Sequence, residues 1–464
     1  MASSAEPFPR RVIRGAGVPE PPGWSQGIAA GGLIFVGGTM ATDFVHGLAP
    51  AVRPDARRPF HREPLELQSI EILQSIGKVL SAAGSDIRRD LLRVWQWAPA
   101  QYPSDAEYAR GPSNWPRFAS ATPYARQLKE MVGDPRRAST GIGVRQLPVP
   151  GALMAVDLIA AEHRPGLEKH AFDAPEGVPR PAAGYAPAIR YGDWVFLSGF
   201  GATDFKGDWM SPLNMGEPSL IAPEARVNPW MWLGSEIEAQ TDYTLRCMDR
   251  IAQAAGSSLD RCVKADVTIS HPSDFAGMDR VWRQWFPKDP PARTVVTGAQ
   301  LVVKGLRVEI ALTLLGNDAG IRKETIRAEG VPDVPGHAPH AVKAGPLLFL
   351  STQLPIDAEG GVPDAMRRRP EMPYFHAWAR LQAEQVLAQV AAICRAANTS
   401  PANVCKVQAF LDDLVHLPEV LAAWRAAFPA EPPVLTAVAT GGGEPLLLPG
   451  AHLQLDAIAY IPGA

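Results

Sequence analysis

Trp194-Val195-Phe196-Leu197-Ser198-Gly199 is one of three strand-like stretches at equivalent places in the 464-residue chain. The others are Leu33-Ile34-Phe35-Val36-Gly37-Gly38 and Leu347-Leu348-Phe349-Leu350-Ser351-Thr352. β-Branched and aromatic residues, which suit a pleated and half-buried surface, recur through them. Each stretch follows an entry motif at a fixed offset. Trp24 precedes Phe35, Tyr185 precedes Phe196 and Ala338 precedes Phe349 by 11 residues each. The first two run on into Ala41-Thr42-Asp43-Phe44 and Ala202-Thr203-Asp204-Phe205, the third into Pro355-Ile356-Asp357. Recurrence at fixed spacing marks repeated structural units.

A long helix is expected next in each copy. In the second, Ser235 and Glu238 form a capping box, each satisfying a backbone donor at the helix start. Ile237, Thr241, Thr244, Met248, Ile251 and Ala255 then form one apolar stripe. Gly256 stands where a left-handed C-cap ends the helix. The first copy repeats this with Leu67, Ile70, Leu73, Ile76 and Leu80 before Gly84, the third with Leu381, Val386, Val390 and Ile393 before Asn398. A strand follows each helix: Leu92 to Trp97, Val263 to Ile269 and Val404 to Leu411. A second helix is read through Phe275, Met278, Val281, Trp282 and Trp285, and from Val420 to Phe428. The order β–β–α–β–α–β–β predicts an α+β unit with helices on one face of a mixed sheet. Pro- and Gly-rich linkers place the boundaries at 1–170, 171–325 and 326–464.

With 46% hydrophobic and 20% charged residues, the chain has enough apolar surface for large cores. A net charge of −3, without a Lys/Arg run, argues against nucleic acid as a partner. Cys247, Cys262, Cys394 and Cys405 show no metal-binding spacing, so reduced thiols in a cytoplasmic protein are expected. Residues 1–15 lack the apolar core of a signal peptide, and no apolar run reaches membrane-spanning length.

The chemistry-bearing stretch is Asp289-Pro290-Pro291-Ala292-Arg293-Thr294, followed by Val308-Glu309-Ile310. Pro-Pro sets the entry to a strand. A carboxylate inside an apolar strand is costly unless something pairs with it. The structural alternative is an Arg–Glu pair or an edge-strand Glu.

The second copy resembles a RidA/YjgF-family domain. The resemblance rests on Gly184-Tyr185, Phe196-Leu197-Ser198-Gly199, Glu238-Ala239-Gln240-Thr241, Ala254-Ala255-Gly256-Ser257-Ser258-Leu259, Pro291-Ala292-Arg293 and Val308-Glu309-Ile310. It covers residues 184–316; copies one and three match in layout more than in motif. It implies three tandem units of the chorismate mutase-like fold, closing as an intrachain pseudo-trimer with clefts between units. It also implies hydrolysis of enamines and imines to 2-oxo acids and ammonia, with no cofactor and no metal. Arg293 would anchor a substrate carboxylate and Glu309 would position or activate water. Tyr185, Ser198 and Gly199 would line the pocket. Asp279 joins the substrate-binding set where the family often has Asn. Arg293 and Glu309 are expected to face one cavity between consecutive units.

The other copies have lost this pair. Copy three has Leu435 and Gln454 at the two positions. Copy one has Ala155 at the Glu position; its Arg position is Arg137 counted from Pro135, or Ser139 counted back from Leu147. Asp157 and Asp456, two residues further on, lie on the same strand face by the period of two, as shifted acids or as satisfied structural groups. One intact site and two decayed ones are therefore expected. Trp209, Met210, Met215, Trp230, Met231 and Trp232 lie in one long insertion. Tyr102, Tyr108, Trp115, Phe118 and Tyr124 lie in another. Both are read as a lid or wall, against interface packing. His337 and His340 lack further ligands, and Gly441-Gly442-Gly443 lacks the residues of a phosphate loop.

The expected function is a hydrolytic deaminase of a small carboxylated, aromatic-derived metabolite. The alternatives are a chorismatase-like hydrolase and a ligand-binding or chaperone-like protein without turnover. The ribonuclease label used for the family is disfavoured by the acidic balance. Further homo-oligomerisation stays open.

Overall fold

The computed structural model describes residues 8–463 apart from 54–56, 58–62, 101–121, 134, 182–183, 205–219, 229, 232, 299–300, 302, 304, 370, 373–376 and 441–445. Unit one contains β1 (Arg11–Ile13), β2 (Gly27–Ala30), β3 (Leu33–Thr39), α1 (Pro64–Ala82), β4 (Leu91–Pro99), α2 (Thr122–Gln127), β5 (Ala138–Val144) and β6 (Ala155–Ala161). Unit two contains β7 (His170–Phe172), β8 (Ala188–Tyr191), β9 (Trp194–Gly201), α3 (Glu236–Ala254), β10 (Cys262–Ile269), α4 (Phe275–Trp285), β11 (Ala292–Thr297) and β12 (Val308–Leu315). Unit three contains β13 (Lys323–Ile326), β14 (Ala341–Ala344), β15 (Leu347–Leu350), α5 (Trp378–Ala396), β16 (Val404–Leu411), α6 (Leu417–Ala427), β17 (Val434–Ala439) and β18 (Leu453–Tyr460).

Each unit builds a six-stranded mixed sheet of identical topology: β1-β2-β3-β6-β4-β5, β7-β8-β9-β12-β10-β11 and β13-β14-β15-β18-β16-β17. The pairs β4–β5, β10–β11 and β16–β17 are parallel, each joined by a crossover helix as parallel strands require. The fold is thus three tandem α+β units. Each opens with a short extra strand that the sequence reading omits. Because β7 and β13 pair forward, the sheets change at His170 and Lys323, slightly before the linker-based boundaries.

One half of the capping box forms: Ser235 Oγ accepts the Glu238 N–H at 3.4 Å, while Glu238 Oε1 accepts from Arg280 Nε at 2.9 Å. Gly84, Gly256 and Asn398 end their helices with φ of 79°, 74° and 60°. All six stripe residues of α3 are buried. The buried face of α1 is instead Leu65, Ile72, Leu73, Ile76, Val79 and Leu80, rotated so that Leu67 and Ile70 are only half-buried. Tyr124, read as lid, packs in the core of unit one at 3% exposure. Trp230 and Met231 are exposed; the other aromatic and Met residues of the two insertions, and Gly441 to Gly443, lie outside the described residues.

Three buried ion pairs join the units in a cycle. Arg93 Nη2 meets Asp266 Oδ2 at 2.9 Å, Lys264 Nζ meets Asp456 Oδ2 at 2.8 Å, and Lys406 Nζ meets Asp157 Oδ1 at 2.7 Å. The contacts run from unit one to two, two to three and three to one, so the units close into a ring. The three cations occupy equivalent positions, each just after a bulge in its strand. A bulge adds one unpaired residue and re-aims the side chains beyond it. A charge buried here without its partner would be strongly destabilising. Asp157 also accepts from Trp97 Nε1, Gln408 Nε2 and Thr436 Oγ1, and Asp456 from Thr294 Oγ1. Both aspartates are therefore satisfied structural groups.

Candidate active site

The first-to-second seam is built by backbone. Ser139 N donates to Ser198 Oγ at 2.9 Å, and Ser198 Oγ donates to Ala186 O at 2.6 Å. Ser351 does the same in the next seam, accepting from Arg293 N at 2.9 Å and donating to Pro339 O at 2.6 Å. These hydroxyls are fully used, so Ser198 is a seam fastener. In the third seam the equivalent residue is Gly37. A Cβ there would come within 2.8 Å of Leu435 O and 3.0 Å of Leu435 N, so only glycine fits.

Strand register settles which residues correspond. Val94, Ala265 and Val407 pair with Ser139, Arg293 and Leu435. The Arg position of unit one is therefore Ser139, and Arg137 lies two residues before it. Trp97, Thr268 and Phe410 pair with Ala155, Glu309 and Gln454.

Arg293 and Glu309 do not share a cavity. On β10, Ala265 is the neighbour of Arg293 and Thr268 the neighbour of Glu309. Residues three apart on a strand point to opposite faces. Arg293 turns to the helix side, at the second-to-third seam. Glu309 turns to the other side, at the first-to-second seam. Side chains of one unit thus serve two different seams, and no seam brings the pair together.

Arg293 is already engaged. Its Nη2 donates to Asp279 Oδ1 at 2.6 Å, and its guanidinium lies 5.0 Å from the Trp282 ring and 5.6 Å from Phe275. Asp279 also accepts from His337 N at 2.9 Å and Arg283 Nε at 2.9 Å. Burial pushes the Asp279 carboxyl up, but Arg293, the His337 N–H and Arg283 outweigh it and hold it below the ordinary range. The side chain of Arg293 is 1% exposed. A substrate carboxylate would have to displace Asp279, so Asp279 takes the place of a ligand rather than binding one. His337 Nε2 lies 2.8 Å from Phe286 O, and His340 Nδ1 accepts the Ala328 N–H at 2.9 Å, so both histidines are structural. At the Glu position of this seam, Gln454 Nε2 donates to Val295 O at 2.9 Å.

Glu309 has the environment of an acid. Burial raises its pKa to about 8, with Arg93 opposing. It is 8% exposed and lies against Gly199, where an added Cβ would collide with its Oε1 and meet Thr140 Oγ1. Gly199 N donates to Thr140 Oγ1 at 3.1 Å. Half-buried Tyr185 has its phenol pushed up by burial and by Glu309. The first-to-second seam thus collects Glu309, Tyr185, Gly199 and Thr140. Sequence reasoning missed Thr140, because nothing in the chain order announces which unit faces Glu309.

The third seam is apolar at these positions, with Ala155, Leu435 and Gly37. Beside it is a cavity of about 40 Å³ whose wall includes Trp24, Phe44, Gly38 and Met40.

Sheet topology, repeated helices and inter-unit seams define a three-unit α+β protein. Residues 226–315 and 332–461 match the family model described as Endoribonuclease L-PSP. Parts of units two and three are therefore similar to this family. Protein mmf2, mitochondrial, of Schizosaccharomyces pombe is 28% identical over 106 residues, 22% of this chain and 84% of its own. The 3-aminoacrylate deaminase RutC of Acinetobacter baylyi is 29% identical over 142 residues, 30% of this chain and 90% of its own. A crystal structure of a chorismatase superposes on 80% of this chain and 93% of its own at 12% identity and a TM-score of 0.46. Among the described residues, no helix is long and apolar enough to cross a membrane.

Proposed function

We propose that the protein is a hydrolytic deaminase acting on the C=N or enamine group of a small metabolite, at the first-to-second seam. The observation that carries this reading is the buried Glu309 carboxyl, protonated near neutrality at a pKa of about 8 beside Tyr185, Thr140 and Gly199. An acid of that strength is suited to proton traffic near pH 7. Glu309 would give its proton to the imine nitrogen. As a carboxylate it would then take one from the water attacking the carbon. Collapse of the carbinolamine yields the carbonyl compound and ammonia. The name of the Acinetobacter relative, a 3-aminoacrylate deaminase, supports the reaction class.

Arg293 is not the anchor in this reading, since Asp279 occupies it in another seam. Ring closure makes the chain an intrachain pseudo-trimer with one acid-bearing cleft. Four buried, unpaired cysteines fit a reducing compartment, the cytoplasm in our reading. The test is ammonia release from imines of 2-oxo acids generated in situ. Glu309→Gln should lower kcat by about 10² or more. An unchanged rate would remove the assignment.

A second reading is ligand binding without turnover. The separation of Arg293 from Glu309 favours it, because no seam holds both groups. It predicts saturable binding of small carboxylates or imines with no ammonia from any of them.

A further inference from the structure

We propose that Asp412, His416 and His452 of unit three form a binding site for a divalent first-row transition ion. Asp412 follows β16, His416 closes the 3-10 turn Leu414–His416 ahead of α6, and His452 immediately precedes β18. One donor atom from each lies within 4.8 Å of the others. His452 Nδ1 is 2.8 Å from Asp412 Oδ2, and His416 Nε2 is 3.8 Å from Asp412 Oδ1. The imidazole centroids are 4.3 Å apart. Ligand bonds of about 2.0–2.2 Å to zinc bring donor atoms to about this mutual spacing. Two imidazoles and one carboxylate form a set that zinc and its neighbours accept, and three protein ligands leave a position open.

The chain supplies its own comparison. The register-equivalent residues of unit two are Ser270, Asp274 and Arg307. There Arg307 Nη2 meets Asp274 Oδ1 at 2.6 Å, and Ser270 Oγ lies 3.3 Å from Asp274 Oδ2. A guanidinium supplies the positive charge at the centre. In unit three the guanidinium is replaced by His452 and its partner carboxylate by His416, while a new carboxylate enters at 412. Among the described residues, the arginines that act on this cluster are committed or peripheral. Arg145 lies 3.7 Å from Asp413 and donates to Asp412 O at 3.5 Å, and exposed Arg368 acts on His416 only at longer range. Acceptors and imidazoles therefore surround a position that has a built-in cation in unit two.

The donors are also held. Asp413 N donates to Asp412 Oδ1 at 2.8 Å, which fixes the carboxylate with Oδ2 toward His452 and Oδ1 on the His416 side. His452 N donates to Gln382 Oε1 at 2.7 Å, and Gln382 Nε2 donates to Gly450 O at 2.9 Å. Side-chain exposures of 28%, 30% and 15% for Asp412, His416 and His452 give an ion a way in.

The test uses the full chain, stripped with chelator and titrated with zinc chloride by calorimetry. Wild type is compared with Asp412→Ser/His416→Asp/His452→Arg, which rebuilds the unit-two ion pair and so keeps the fold supported. Wild type should bind one more equivalent of zinc than this variant, at micromolar affinity or tighter. Zinc should raise the Tm of wild type and leave that of the variant unmoved. Cobalt should give visible d–d bands only with wild type. Equal zinc stoichiometry in the two proteins, or equal Tm shifts, would overturn the proposal.

Discussion

Asp266 and Ala311 are cross-strand partners on β10 and β12, and Ala311 stands where units one and three carry Asp157 and Asp456. The carboxylate at this joint has moved one strand over, and Arg93 follows it at 2.9 Å. Asp266→Gln should leave the fully buried Arg93 without its acid and cost about 3–5 kcal/mol in urea unfolding. Adding Ala311→Asp rebuilds the pattern of unit three, Gln408 with Asp456, and should return more than half of that loss. A double variant no more stable than the single one would show that the positions are not exchangeable.

The pH dependence of Glu309 has a definite sign. Its folded-state pKa of about 8 lies above the ordinary 4.5, because burial penalises the charged form. The folded chain therefore holds the proton longer than the unfolded chain. The stability this confers is full below about 4.5 and is lost as pH rises through about 8. Glu309→Gln should match wild type at pH 5 and exceed it at pH 9 by roughly 1–4 kcal/mol. Chemical denaturation at several pH values reads this directly. Turnover that depends on the neutral acid should fall over the same upper limb.

Arg293 should behave as a structural cation. Arg293→Ala leaves Asp279 with only Arg283 and the His337 N–H and should destabilise by about 3–5 kcal/mol. The KM for an imine substrate should stay within about twofold, a change of under 0.5 kcal/mol in substrate recognition. A tenfold rise in KM without loss of stability would restore Arg293 as a substrate anchor.

The third seam tolerates no side chain at position 37. Gly37→Ser imports the residue that units two and three use, yet its Cβ would press on Leu435 O. Overpacking of this kind should cost about 1–3 kcal/mol. Ser198→Gly removes one hydroxyl that both accepts and donates and should cost about 1–2 kcal/mol. Thermal melts of the two variants rank the effects.

Repeated strands, capping and C-cap residues were legible because each is local. Ser235 with Glu238, and Gly256 after its stripe, need only neighbours a few residues away. The short strands β1, β7 and β13 were not legible, since three or four half-exposed residues carry little periodicity. The two counts for the Arg position of unit one, Arg137 or Ser139, differ by two residues, so alternation gives both the same face. Only the pairing of Val94 with Ser139 decides between them. The separation of Arg293 from Glu309 depends on which unit lies across each seam, and that is a property of the closed ring. Asp412, His416 and His452 are not legible for a related reason: α6 and β17 lie between the second and third of them.

Covalent linkage of the three units has an evolutionary consequence. In an assembly of identical subunits, one codon change alters every joint at once. Here a change at Arg293 touches one rim and a change at Glu309 another. Each rim therefore drifts on its own. That freedom has left one rim acidic, one latched by a guanidinium and one lined with hydrocarbon.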